Sequence, residues 1–527
     1  MIQPFPNGPP TQVKIQSLNP ATGEVWREYE SVTPQQVEVA VARAQAAQKS
    51  WGGWPIQKRV EILRKFSQLL FNRRMEIAAL VTRENGKPLP EALLAEVIVS
   101  LDIVKYYLRY GPLWLRPRRL PHQNIALRLQ RGYVQYEPLG VIGIISPWNY
   151  PFMLPLSPSI TALLAGNAVV LKPSEFTPAS ALEIEKMLRE VGLPEGVFQV
   201  IVGDGGTGAA LVASAINGVA FTGSSATGKK IAATAAERLI PLVMELGGSD
   251  PMVVLRDANI DLAASGALWC RFMNCGQSCV AVKRIFVEQE IYQPFVEALV
   301  AKTKRLRLGR GDQPDIDVGP MIRERQVATL ESQLNDAIVK GATVLCGGKR
   351  RPDLGPLFFE PTVVVDVNAT MKVLQEETFG PLLPVVPVRD VDEAITLANT
   401  TPYGLSASVW TRNLNRGREA AQRIEAGAVS INDAISYFGS CEAPNRGAKA
   451  SGYGCTHGHE GLMEMTRPKY LNLEPFTFLK KPWWFGYNQK MLAQLNRFSE
   501  FQFSRSLLAR LRSIPPVLGL LKRKTWF

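Results

Sequence analysis

The residues with the most chemical character sit on short polar or glycine-rich stretches between apolar ones. Cys279 lies in Asn274-Cys275-Gly276-Gln277-Ser278-Cys279-Val280, after a segment with helical spacing and before one with strand character. A thiol is the most nucleophilic ordinary side chain, and once partly ionised it attacks a carbonyl carbon. A lone cysteine is more often a small buried hydrophobe, and that reading fits Cys270, Cys275, Cys346, Cys441 and Cys455 as well. Glu245 closes an apolar run and precedes Leu246-Gly247-Gly248. Burial there would raise its pKa toward that of a usable base, whereas a turn-capping or ion-paired carboxylate is the structural alternative. Asn149, Lys172, Glu175, Gly205 and Thr222-Gly223-Ser224 fall at or just beyond the expected carboxyl ends of strands, where open α/β sheets gather ligands. Gly223 and Gly228 are spaced GxxxxG, not in the GxGxxG dinucleotide fingerprint. Glycines opening onto helix N-termini can hold a pyrophosphate, or can serve tight turns only.

The elements that must position these residues are read from periodicity. Thr33-Pro34 with Gln36 reads as a helix start with a capping box, and 34–50, 55–73 and 89–110 carry apolar residues at three- and four-residue spacing. Residues 125–137 alternate and suggest strands of a hairpin. Strands are then expected at 141–145, 168–171, 197–202 and 218–221, separated by helices at 155–165, 178–191 and 207–215; helix 226–238 comes after the last. Strand 141–145 runs into Ser146-Pro147-Trp148-Asn149, a turn. A second alternating series runs from strand 242–244 to strand 428–431, so two mostly parallel sheets are expected, with a break near 246–250.

Composition narrows the function classes. A chain of 527 residues buries a large core and divides into two or three domains. Six cysteines in this length give no disulfide framework, no Cys-x-x-Cys occurs, and three histidines (His122, His457, His459) leave little for a metal site, so none is expected. The first residues, MIQPFPNGPP, lack a signal pattern, and the longest apolar run, 160–171, is too short to span a bilayer. A cytoplasmic location is the expectation. The formal charge of +13 is concentrated: 480–527 holds ten Lys/Arg against one acidic residue, and the remainder 50 against 46. A nearly balanced body argues against nucleic-acid binding.

Several motifs in order resemble one family, the NAD(P)-dependent aldehyde dehydrogenases of the acid-forming type. They are PWNYP at 147–151, KPSE at 172–175, FTGS at 221–224, MELGG at 244–248, GQSC at 276–279, EETFGP at 376–381 and SGYG at 451–454. The resemblance covers about 15–470. It implies an aldehyde dehydrogenase-like α/β fold with two open, twisted, mostly parallel sheet domains and a small bridging sheet used in oligomerisation. The division it suggests is 1–117 with 139–247 for the cofactor, 248–454 for catalysis, 118–138 with 455–479 for oligomerisation, and 480–527 as a basic, aromatic extension. By the same resemblance Cys279 is the nucleophile, Glu245 the general base, and Asn149 an oxyanion donor beside the Cys279 N–H. Lys172 and Glu175 contact the adenosine ribose, Glu377 the nicotinamide ribose with Phe379 beside it, and Ser146, Trp148, Gly205, Thr222, Gly223 and Ser224 complete the cofactor site. The implied reaction oxidises an aldehyde through a thiohemiacetal and a thioester, with water as acyl acceptor. NAD is favoured because Glu175 should repel a 2′-phosphate, with NADP as the alternative. Other readings are a catalytically silent scaffold, ester hydrolysis, or acyl transfer to coenzyme A; the presence of Glu245 favours water. The resemblance also implies a homodimer or homotetramer.

No carboxylate-binding Arg motif appears in the loops, and Leu154 and Phe272 suggest apolar walls, so a medium- or long-chain aliphatic aldehyde is expected over a semialdehyde or aromatic one. The segment Ala443-Pro444-Asn445-Arg446-Gly447-Ala448 departs from the family pattern, and Arg446 is the one candidate for a substrate carboxylate. In the tail, Lys480-Lys481 precede Trp483-Trp484-Phe485, and apolar residues recur at helical spacing over 489–513 until Pro515-Pro516 should break the helix. Two readings are open: contact with a membrane surface, or a helix docked on a subunit, where it would cover the substrate mouth.

Overall fold

A computed structural model describes residues 14–124, 127–477, 481 and 483–512. Its larger unit runs from the N-terminal strands to Leu115 and from Glu137 to Arg467. Two sheets organise this unit. In the six-stranded sheet the order is Gly452–Tyr453, Leu242–Glu245, Gly218–Thr222, Val141–Ile145, Ala168–Lys172 and Phe198–Val200. All neighbours are parallel except the first pair. Strands of this sheet are apolar without alternation because helices cover both faces. The winding direction reverses between Val141–Ile145 and Gly218–Thr222, so a crevice opens beyond their carboxyl ends, where Ser146 and Gly223 lie.

The chain leaves this sheet at Glu245 and enters the second at Asp250. The seven-stranded sheet runs Thr343–Cys346, Thr362–Val365, Leu382–Val388, Val282–Glu288, Asp250–Val254, Ser406–Trp410 and Ala428–Ile431, antiparallel only at the first pair. Gly452–Tyr453, which the sequence division places with the catalytic segment, instead pairs with Met244 and Glu245 of the six-stranded sheet. Gly452 has φ +123°, and a Cβ there would lie 1.9 Å from the Met244 carbonyl oxygen, so only glycine permits this approach.

Helices fill the space around the sheets. Thr33 caps the helix Pro34–Gly53 with Gln36 in the reciprocal pattern expected. Between the helices expected at 55–73 and 89–110 lies a further one, Arg74–Asn85, closed by Gly86 in the left-handed region. Short apolar spacing with charges on both sides hides it in the sequence. The strands Lys14–Leu18 and Val25–Glu30 form a two-stranded ribbon that the periodicity does not announce. The helix Met153–Ala165 is buried along its whole length. Its first amides, Phe152 N–H and Met153 N–H, donate to Glu96 Oε2 at 3.1 and 2.9 Å. Glu96 sits in a π-helical turn, Leu93–Ile98, and its other oxygen pairs with Lys87 Nζ at 2.6 Å, both side chains fully buried. Lys87 also donates to the Asn149 carbonyl at 2.9 Å. One ion pair therefore holds a helix start and the adjoining PWNYP loop together.

The smaller unit comprises 116–136 and the chain from 468 onward. Its sheet has the order Thr466–Leu473, Arg131–Pro138, Arg118–Leu120. The tail forms two helices, Gln489–Phe503 and Leu507–Arg512. The break falls at 504–506, where Ser504 is extended, and so precedes the expected one; Pro515-Pro516 lies outside the described residues. Among the described residues no helix is long and apolar enough to cross a membrane.

Removing one partner of a buried ion pair leaves a charge without compensation, at a cost of about 3–5 kcal/mol. Glu96→Ala is expected to lower stability by about that amount. The denaturant midpoint of urea unfolding measures it, and an unchanged midpoint would refute the anchoring role.

Candidate active site

The loop that carries Cys279 is an irregular turn between helix Ile260–Phe272 and strand Val282–Glu288. Asn274, Cys275 and Gly276 are successively left-handed, at φ 50°, 54° and 72°. At Gly276 a Cβ would stand 2.3 Å from the Gly380 carbonyl oxygen. Such a path persists only where its surroundings determine it fully. Here the buried Arg271 guanidinium donates to the Val282 carbonyl at 3.3 Å, to that of Thr378 at 3.1 Å, and to that of Gly380. Asn274 N–H donates to Glu91 Oε2 at 3.0 Å, and Gln277 Oε1 accepts from Ile322 N–H at 2.9 Å. Lys283 Nζ donates to the carbonyls of Ser278 and Cys279.

Asn149 is buried against this loop. Its Nδ2 donates to the Gln277 carbonyl at 3.1 Å, and its own carbonyl accepts from Asn274 Nδ2 at 2.8 Å. The side-chain amide is thereby fixed two residues from Cys279. Cys279 is partly open to a cavity of about 600 Å³. The protein around that narrow opening still desolvates the sulfur, which pushes the thiol up to about 12 despite the nearby Lys283 ammonium. The resting group is the neutral thiol, so attack requires a base to take its proton.

Glu245 ends its strand in a small chamber of about 20 Å³, the scale of a single water, which Cys279 also lines. Burial pushes the Glu245 carboxyl up to about 8. Two hydrogen bonds work against that rise: Thr456 Oγ1 to Oε1 at 3.4 Å and Asn445 Nδ2 to Oε2 at 3.1 Å. Sequence reasoning misses both residues in this role. Asn445 does lie in the stretch that departs from the family pattern, and that departure is the available signal. The motif at 451–454 is tied to the chain that follows Glu245: Ser451 Oγ donates to the Gly247 carbonyl at 2.7 Å, and the Ser451 carbonyl accepts from Leu246 N–H at 3.0 Å.

The expected cofactor residues gather beyond the switch point of the six-stranded sheet. Lys172 Nζ lies 3.4 Å from Glu175 Oε2. Ser146 Oγ is buried without a hydrogen-bond partner. Gly205 opens the helix Gly205–Ala213, and the space above it is clear of any atom within 4 Å. Ser224 caps Ser225–Ala236 through Thr227 N–H, directly after Thr222 and Gly223. Trp148 and Phe379 meet edge to face, with centroids 5.4 Å apart. Glu377 Oε1 accepts from Gly248 N–H at 3.1 Å, 3.8 Å from Lys283 Nζ. An unsatisfied hydroxyl, two helix N-termini and an open glycine edge at one crevice fit a dinucleotide. No cluster of three or more His, Cys, Asp or Glu suited to a metal ion occurs among the described residues.

Residues 9–471 match the profile of the aldehyde dehydrogenase family. The chain belongs to that family. The enzyme shares its nicotinamide cofactor, NAD(P), and its α/β fold. It is 40% identical over 450 residues to a putative succinate-semialdehyde dehydrogenase [NADP(+)] 2 of Mycobacterium ulcerans, covering 84% of this chain and 86% of that one. It is 35% identical over 502 residues to a 4,4'-diapolycopene aldehyde oxidase of Methylomonas sp, covering 94% and 93%. Among solved structures, a succinate-semialdehyde dehydrogenase from Burkholderia pseudomallei superposes with a TM-score of 0.84 at 35% identity, covering 88% of this chain and 94% of that one.

A carboxyl serves as base only when ionised, so activity that depends on Glu245 should rise with pH through about 8. Asn445 holds that pKa down, so Asn445→Ala is expected to shift the rising limb to higher pH. Steady-state NAD(P)H formation across pH measures both, and coincident limbs would refute the assignment.

Proposed function

We propose that the enzyme oxidises an apolar aliphatic aldehyde, of medium or long chain, to its carboxylic acid with water as acyl acceptor. The observation that carries the substrate class is the lining of the cavity at Cys279. Leu94, Met153, Leu154, Leu268, Phe272 and Phe438 are among its walls, and no Lys, Arg or His among the described residues lines it. Its two charged lining residues are carboxylates, Glu91 and Asp317. A semialdehyde acid's carboxylate would find no cationic side chain on that lining; Asp317 is itself paired with Arg307 at 3.1 Å, outside the lining. Arg446 is exposed and outside this lining.

The semialdehyde reading is supported by the names of the Mycobacterium ulcerans relative and of the Burkholderia pseudomallei structure. The Methylomonas relative, named for a diapolycopene aldehyde, agrees with the apolar reading.

The steps use the chain's own groups. Glu245 takes the thiol proton by way of the shared chamber, and Cys279 Sγ bonds to the aldehyde carbon. Asn149 Nδ2 and the Cys279 N–H stabilise the oxyanion that develops. When bound, NAD(P) accepts the hydride of that carbon, so the acyl group is left on Cys279 as a thioester. Lys172, Glu175, Glu377, Phe379, Ser146, Trp148, Gly205, Thr222, Gly223 and Ser224 would hold the cofactor. Glu245 gives the thiol's proton up to solvent and regains its charge; it then draws a proton from water, the water oxygen bonds to the acyl carbon, and the C–S bond breaks to release the acid, the freed Cys279 sulfur taking its proton back from Glu245. Each turnover consumes one aldehyde, one NAD(P)⁺ and one water. The three-stranded sheet of the smaller unit is the surface through which we expect a homodimer or homotetramer.

A panel of straight-chain aldehydes, with succinate semialdehyde alongside, tests this reading. We expect kcat/KM to rise about fourfold per added methylene until the cavity is filled, from about 0.8 kcal/mol per buried CH₂. NAD(P)H should form without coenzyme A, and Cys279→Ala should abolish it. Succinate semialdehyde as the best substrate would overturn the apolar reading.

Glu175 is expected to set cofactor choice, because a carboxylate at the adenosine ribose opposes a 2′-phosphate. Glu175→Ser should raise the NADP/NAD ratio of kcat/KM by about tenfold, which corresponds to about 1.4 kcal/mol. An unchanged ratio would place discrimination elsewhere.

A further inference from the structure

The family match ends at residue 471, and the last part of the chain has a different chemical character. Residues 480–527 carry a net charge of +9, and their one acidic residue, Glu500, pairs with Arg497 at 2.8 Å. The described part of this tail leaves large apolar side chains in solvent. Phe485 is 70% exposed, Leu492 62%, Phe503 72%, Leu507 75%, Leu508 66% and Leu511 61%. On helix Gln489–Phe503, at 3.6 residues per turn, Leu492, Leu495 and Phe503 fall within an arc of about 80°. Arg497 and Lys490 project from the remainder of the circumference. Leu507–Arg512 repeats the theme with three leucines beside Arg510 and Arg512.

Isolated exposed apolar residues need no explanation, but a run of this size on a basic segment does. An acidic protein partner would account for the arginines and leave the leucines wet. A second copy of this chain would account for the leucines and bring like charges together. A surface that is apolar a few ångströms below a layer of negative charge accounts for both. Aromatic residues beside Lys and Arg suit the headgroup depth, and an amphipathic basic helix lies in that plane.

We propose that residues 483–512 form a docking surface for an anionic lipid bilayer, with Phe485, Leu492, Leu495, Phe503, Leu507, Leu508 and Leu511 inserted at the interface and Arg497, Arg505, Arg510 and Arg512 at the headgroup phosphates. The attachment is peripheral and salt-sensitive. It is independent of the substrate assigned above, since binding can be read without turnover.

The test is co-sedimentation of the full-length enzyme with phosphatidylcholine vesicles with and without phosphatidylglycerol. We expect pelleting with the anionic vesicles, little with phosphatidylcholine alone, and release at high salt. The triple variant Arg505→Glu, Arg510→Glu, Arg512→Glu should lower the partition coefficient by roughly a hundredfold or more, from about 1 kcal/mol per basic residue. The quadruple variant Phe503→Ser, Leu507→Ser, Leu508→Ser, Leu511→Ser should do likewise. Both variants should keep the oligomeric mass and the activity toward a short water-soluble aldehyde, which also reports that they fold. The proposal is overturned if the full-length enzyme does not pellet with anionic vesicles, or if the variants pellet as it does. Loss of the oligomer in the apolar variant would assign the face to a second copy. A changed KM for the soluble aldehyde would assign it to the substrate mouth. Either result overturns the proposal.

Discussion

A carboxylate taken out of water at the end of a strand holds its proton tightly, and everything around Glu245 answers that constraint. Burial moves the group upward from the ordinary carboxylate range, and with the opposing hydrogen bonds of Thr456 and Asn445 included it stands at about 8. A fully apolar surround would make it an acid that never ionises at neutral pH, and a salt bridge would make it too weak a base to draw a proton from water. The two neutral donors, Asn445 and Thr456, give an intermediate result. They come from a stretch some 200 residues later in the chain. The returning chain is held at the edge of the six-stranded sheet as a two-residue strand, Gly452–Tyr453, and a glycine stands where its backbone approaches the Met244 carbonyl.

The nucleophile's side of the site solves a different problem. Cys279 is carried on a turn whose backbone occupies the left-handed region at three consecutive residues, and such a turn holds only if it is tied from several directions. The ties are polar and mostly buried: Arg271, Asn274, Gln277 and Lys283 within the turn and its flanks, Glu91 and Asn149 from outside it. Lys87 and Glu96 extend the network to the helix Met153–Ala165. In a low-dielectric interior such bonds strengthen one another when all are made, and each unmade one costs heavily. The same network fixes the Asn149 side-chain amide beside the Cys279 turn, as the oxyanion role proposed for it requires.

Much of this is readable in the residue order. The alternation of apolar strands with amphipathic helices locates both sheets, and the loops carrying Asn149, Lys172, Gly223, Glu245 and Cys279 fall where strand ends are expected. The omissions have physical causes. Helix Arg74–Asn85 is separated from its predecessor by Arg73 alone, so no turn residue announces it. A two-residue strand such as Gly452–Tyr453 has no period to detect. Asn445 and Thr456 touch Glu245 directly, but the second sheet's strands lie between them in the chain, and spacing along the chain says nothing of such contacts. Lys87 lies before the segment 89–110 that reads as helical and Glu96 within it, and nothing in the residue order marks either charge as buried; only the folded packing shows both at zero exposure. The tail helix ends earlier than its proline pair suggests because Ser504 adopts an extended backbone and stops the hydrogen-bond ladder.

The late arrival of Asn445, Ser451 and Thr456 also bears on how the molecule is born. A ribosome releases Cys279 and Glu245 long before it reaches these residues. Until they emerge, the edge of the first sheet is open, the chamber has no wall on that side, and the carboxylate remains hydrated with an ordinary acidity. An unfinished polypeptide thus carries the sulfur and the carboxylate without the enclosure that makes the carboxylate a strong base, and that enclosure is complete only as synthesis nears its end.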